Sequence, residues 1–155
     1  MSGSGAIERC RRGGLVLVLS IGWAFWPQGV ALAQSQQDEA LDHAIETARA
    51  AWLEHRVGEF VSGSDTIRLR IPGIAPSASL RPGQAERLLD QYLQPSEELS
   101  FDLRDIKMVA TDHAYAEINR VYVVQGTSER REETVFLGFR LVDRIWRLRE
   151  VRVAP

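Results

Sequence analysis

Apolar positions recur at two different periods along this chain, and the change of period divides it. In residues 38–56, Leu41, Ile45, Ala48, Trp52 and Leu53 fall at three- and four-residue spacing, with Ala44 and Ala51 beside them. Such a stripe predicts an amphipathic helix. Asp38 and Glu39 suit its positive end, and His55 with Arg56 suits its negative end. A turn of Ser62, Gly63, Ser64 and Asp65 follows. Residues 66–71 then alternate strictly, Ile67, Leu69 and Ile71 against Thr66, Arg68 and Arg70, which predicts a half-buried strand. Pro82 opens a second helix where a missing amide costs least, with Ala85, Leu88, Leu89 and Tyr92 on one face and Pro95 closing it.

From Glu97 onward the period is two. Phe101 and Leu103 alternate, then Ile106, Met108 and Ala110 do so one step out of phase, and the slip near Arg104 and Asp105 predicts a bulge. Residues 114–124 form the next strand. Ala116, Ile118, Tyr122 and Val124 lie on one face of it, and Tyr115, Glu117, Asn119, Val121 and Val123 on the other. A polar loop over 125–131 leads to a strand at 133–142. Asp143 and Arg144 make a tight turn into a last strand at 145–153, which slips between Leu148 and Val151. The fold class is therefore α+β. Two helices pack on a strongly bent antiparallel sheet, a four-strand meander plus a strand between the helices, giving a cone with an opening.

The N-terminus adds a compartment. Arg9, Arg11 and Arg12 precede an apolar run at 15–26, then Pro27, then Ala31 and Ala33 at the positions a signal peptidase must fit. The expectation is a cleaved signal peptide over 1–33, a flexible leader over 34–37 and one domain over 38–155. The product would be periplasmic or extracellular, with no stable membrane anchor. Cys10 is the single cysteine and lies before the apolar run, so the mature chain has no thiol chemistry and no disulfide. Losing Glu8 and the three arginines lowers 19 basic residues to 16 and 21 acidic ones to 20, a net charge of about −4. That balance argues against a nucleic-acid partner.

The order of elements resembles the nuclear transport factor 2-like superfamily, in particular small exported bacterial members of unknown function. Three stretches carry the likeness: Gly58, Glu59 and Phe60 with residues 66–73; residues 80–89; and the hairpin at 143–151. The resemblance implies a cone that enzymes, transport factors and assembly domains all use, so fold alone does not fix function. Its enzymes place a carboxylate with a tyrosine or histidine inside the cone, and its members commonly pair sheet to sheet.

Candidate chemistry is sparse. Asp112 and His113 form an adjacent acid–imidazole pair in a turn, and Glu117 shares a strand face with Tyr115. With Tyr122 these make the set for a small isomerase or cyclase. A solvated outer face is the plainer reading of Glu117 and Tyr115. His43 and His55 stand twelve residues apart, too far for a helical metal pair, and nothing points to a metal or cofactor. Nucleophile and phosphate-loop signatures are missing. The leading expectation is a non-enzymatic extracytoplasmic domain, binding an apolar small molecule or a protein partner through its cone or sheet, with Trp52, Tyr92, Tyr122 and Trp146 lining the cone. The sheet face turned from the helices carries either Val135, Leu137, Phe139 and Leu141 or Thr134, Phe136, Gly138, Arg140 and Val142. Either set exposes large apolar groups, which predicts a homodimer.

Overall fold

The computed structural model describes residues 28–75 and 79–154, with side chains from residue 35 onward. The expected signal segment therefore lies largely outside the described residues. Helix α1 (Gln28–Leu53) runs through 34–37, expected as a flexible leader. Gln37 fastens that stretch to the sheet: its Nε2 donates to the Thr111 carbonyl at 2.7 Å, and its carbonyl accepts from Trp146 Nε1 at 3.1 Å.

Leu41, Ile45, Ala48, Ala51 and Trp52 form the buried stripe of α1, while Leu53, expected on it, is 40% exposed. The helix ends in a Schellman motif. Arg56 N–H bonds the Ala51 carbonyl and His55 N–H bonds that of Trp52, with His55 at φ 53° where glycine is usual. A short α2 (Val57–Val61) buries Val57, Phe60 and Val61. Strand β1 (Arg68–Arg70) is shorter than expected; Ile67 instead bridges to Leu80. Helix α3 (Pro82–Leu93) starts with a capping contact from Arg81 N–H to Gln84 Oε1 at 3.1 Å and buries Ala85, Leu89 and Leu93.

Strands β2 (Ser96–Ala110), β3 (His113–Val124), β4 (Arg130–Val142) and β5 (Ile145–Ala154) form the meander. The sheet order is β1-β5-β4-β3-β2, with β1 parallel to β5. Both expected bulges are present, one between Leu103 and Asp105 and one where Arg149 is extra opposite Gly138 and Phe139. Two further shifts, at Ser100 and Ala110, add to the bending of β2. The sheet curls without closing.

Its concave face carries Ala114, Ala116 and Ile118 of β3 and Val135, Leu137 and Phe139 of β4, all buried against the helices. Phe136, Gly138 and Arg140 consequently face outward. The interior of the cone is packed. Trp52 stacks on Phe101 with ring centroids 4.7 Å apart and meets Phe60 edge-on at 5.4 Å. Among the described residues, the buried charge gathers at the end bounded by α3, the start of β2 and the start of β4.

Candidate functional site at the mouth of the cone

Period two along β3 sends Ala116, Ile118, Arg120 and Tyr122 to the same concave face. Arg120 is thereby carried inside, where it is 1% exposed. A guanidinium cannot remain there unless its donors are met. Glu98, on the neighbouring strand and also 1% exposed, takes Arg120 Nε at 3.0 and 3.2 Å and Nη2 at 2.5 Å. Nη2 also donates to Ser96 Oγ at 2.7 Å. Nη1 reaches Tyr92 Oη at 2.8 Å and Glu133 Oε2 at 3.0 Å. Aromatic faces enclose the cation: its Cζ lies 3.9 Å from the Tyr122 ring centroid, 4.9 Å from Tyr92 and 5.5 Å from Trp52.

Glu133 sits above this floor at 15% side-chain exposure. Its Oε2 accepts from Tyr92 Oη at 2.5 Å and its Oε1 from Tyr122 Oη at 2.9 Å. Burial, then the hydrogen bond to Glu133, pushes both tyrosine pKa values upward, so both hydroxyls stay protonated donors. Burial alone would lower the Arg120 pKa; the bond and charge of Glu98 reverse that, and the net direction is upward. His55 Nε2 approaches Glu98 Oε1 to 3.7 Å from the end of α1. A pocket of about 410 Å3 opens over this floor, walled by Gly73, Ile74, Pro95 and Arg131.

Of the four expected lining residues, Tyr92 and Tyr122 line this pocket, and Trp52 lies behind Arg120 in the packed core. Trp146 lies apart, beside α1 in a groove of about 530 Å3 with His43 and Phe60. The expected catalytic set does not converge on the cone interior. Tyr115 and Glu117 share a groove of about 610 Å3 on the outer sheet face with Phe136, Arg68 and Arg152. Tyr115 Oη donates to Glu150 Oε2 at 2.9 Å, and burial followed by that bond raises its pKa. Gly138 leaves room for it, since a Cβ there would fall 2.9 Å from Tyr115 Cε1. The Asp112 side chain, 47% exposed, pairs with Arg140 at 3.3 Å, whereas the His113 ring lies 4.9 Å from that of Tyr115. Among the described residues, no group of three or more His, Cys, Asp or Glu side chains is placed to hold a metal ion.

The residues missing from the sequence reading are Arg120, Glu98, Glu133 and Ser96. Arg120 had a signal: it falls in phase with the buried Ile118 and Tyr122. Its partners had none, because Ser96 and Glu98 precede the first bulge and Glu133 opens an exposed strand end.

No family model matches the chain, and no curated protein matches it. Solved structures do. A nuclear transport factor 2-like protein with a cystatin-like fold from Novosphingobium aromaticivorans superposes with a TM-score of 0.60 at 17% identity, covering 81% of this chain and 86% of that one. A ketosteroid isomerase-like protein from Erwinia carotovora atroseptica gives a TM-score of 0.61 at 10% identity, covering 76% and 96%. A nuclear transport factor 2-like protein of unknown function from Shewanella oneidensis gives 0.56 at 10%, covering 76% and 98%. This chain has the nuclear transport factor 2-like fold.

Proposed function

We propose that this protein is a non-enzymatic extracytoplasmic domain that binds a small molecule with an apolar body at the mouth of its cone. The carrying observation is the Arg120 network at the floor of an open pocket. A buried ion-pair cluster is a poor route to stability, since apolar side chains of similar volume often serve as well or better. Its place under an accessible, aromatic-walled pocket supports a binding role. Export is supported by the arginine, apolar and small-residue zones of residues 9–33, in that order. The outer face of the sheet would pair with a second copy.

An enzyme reading has one observation in its favour: Glu133 is a carboxylate inside the cone with two tyrosine hydroxyls upon it. Against it, three donors already hold that carboxylate, so it is poorly placed to abstract a proton.

Amide spectra recorded with a library of small aromatic and aliphatic fragments test both readings. Binding at the mouth moves the signals of Gly73, Ile74, Tyr92, Ser96 and Glu133. Shifts confined to Lys107, Tyr115 and Arg152 would relocate the site to the outer groove. A fragment converted to product during acquisition, with conversion lost in Glu133→Gln, would replace the binding reading by the enzymatic one.

A further inference from the structure

The donors at the mouth are arranged around a carboxylate. Tyr92 Oη, Tyr122 Oη and Arg120 Nη1 converge on the two oxygens of Glu133. Tyr122 and Arg120 belong to β3, which is paired on both sides, and Tyr92 to the half-buried face of α3. Glu133 comes from a looser place. Among the described residues, the β4–β5 ladder reaches Thr134 opposite Ala154 and residues 130–133 pair with β3 alone, and Arg130, Arg131 and Glu132 are exposed. A strand end held on one side opens more readily than the core beneath it. Glu98 also stands on a strand paired on one side, β2, but its side chain is 1% exposed against 15% for Glu133, so Glu133 is the carboxylate nearer to water.

We propose that the mouth is a carboxylate-binding site occupied by the protein's own Glu133, and that its exogenous ligand is a small monocarboxylate that takes Glu133's place. This rests on the mouth being the binding site. Chemistry and charge both favour it. The three donors are already set for the two oxygens of a planar group, while Ile74 and Pro95 offer apolar wall to the remainder of the ligand. Exchange leaves the buried charge unchanged, because one carboxylate enters as another moves out to water, so the penalty for adding a buried charge does not arise. Glu133 competes as a tethered group, with an effective concentration on the order of millimolar or above. The unaltered protein should accordingly bind simple carboxylates weakly.

Calorimetric titration of benzoate, with benzamide as the neutral control, into the purified protein and its Glu133→Ala variant tests this. The variant should bind benzoate at least about tenfold more tightly than the unaltered protein, following the removal of the tethered competitor, with no gain for benzamide. Adding Tyr122→Phe to the variant should reverse part of that gain. If Glu133→Ala fails to melt cooperatively, Glu133→Thr, a better strand former, takes its place. Equal benzoate affinity with and without Glu133, or an equal gain for benzamide, overturns the proposal. Fragment shifts at the mouth in the unaltered protein, alongside such a failure, would overturn the carboxylate assignment alone.

Discussion

Glu98 of β2 and Arg120 of β3, each 1% exposed in the side chain, hold one another with an Nη2–Oε1 distance of 2.5 Å. Neither charge has access to water, so each depends on the other.

Removing one partner should therefore be worse than removing both. Arg120→Met leaves Glu98 and Glu133 facing each other without a cation and should cost about 3–5 kcal/mol, as for other broken buried pairs. Adding Glu98→Leu should restore much of that loss. Urea denaturation of the two single variants and the double variant supplies the cycle. Additive losses would show that the pair is not energetically coupled.

Alkaline titration reads the same cluster through its tyrosines. The chain has three tyrosines, Tyr92, Tyr115 and Tyr122, and all three have raised pKa values, through burial first and then through bonds to Glu133 or Glu150. The folded state binds these protons more strongly than the unfolded state does. The stabilisation is thus complete below the ordinary tyrosine value of about 10 and is lost as pH rises toward the folded values. Tyrosinate absorbance at 295 nm should be lower at pH 10 in the folded protein than in the unfolded chain, and Tyr92, the most strongly shifted, should ionise together with loss of the near-ultraviolet circular dichroism. Half-ionisation at pH 10 in the folded protein would contradict the network.

Much of the fold was legible because burial is periodic. The stripe of α1, the alternation of β1 and the bulges at Arg104 and Arg149 all follow from which apolar residues stay in phase. Polar segments were harder to read. Residues 130–132 pair with 121–123 through backbone bonds that need no apolar side chain, so an extended ladder looks like a loop in the sequence. The candidate site was hidden for a related reason. Periodicity sorts apolar from polar residues, and an arginine in phase with a core stripe is easily taken as an interruption. Only the placing of Glu98 and Glu133 beside it, 22 and 13 residues away in sequence, reveals why it is tolerated.

The turn between β4 and β5 offers a local gain. Asp143 and Arg144 both have positive φ, 52° and 64°, in a two-residue hairpin loop of the left-handed kind that favours glycine second. Arg144→Gly should stabilise the protein by about 0.5–1 kcal/mol, by relieving left-handed strain. Its thermal midpoint should rise by a few degrees; a lower midpoint would mean that Arg144 makes a compensating contact.

Export predicts a defined N-terminus. The protein isolated from its own host should lack residues 1–33 and begin at Gln34, as measured by intact mass. Retention of the apolar run at 15–26 would contradict processing.

The outer sheet face makes the last prediction, a homodimer. Strand register sets one row of side chains across it in the order Asp105, Glu117, Phe136, Arg152 and Arg70. Acids stand on one side of Phe136 and arginines on the other, with the Arg152 guanidinium 4.2 Å over the Phe136 ring. A twofold axis parallel to the strands beside Phe136 would lay each acidic side over the partner's arginines and bring the two aromatic rings to the centre. Such a row is self-complementary, as an isologous interface requires. Val109, 58% exposed at the margin of the groove, would add apolar area. Sedimentation at tens of micromolar should report a dimer. Phe136→Glu should give a monomer, because it adds a third acid beside Glu117 at the centre of the row and removes the ring under Arg152. Charge reversal separates specific pairing from general stickiness. Arg152→Glu should also dissociate the dimer, and combining it with Glu117→Arg should restore it in part. A sedimenting monomer in the unaltered protein would remove the proposal, and dimers in all variants would place the interface elsewhere.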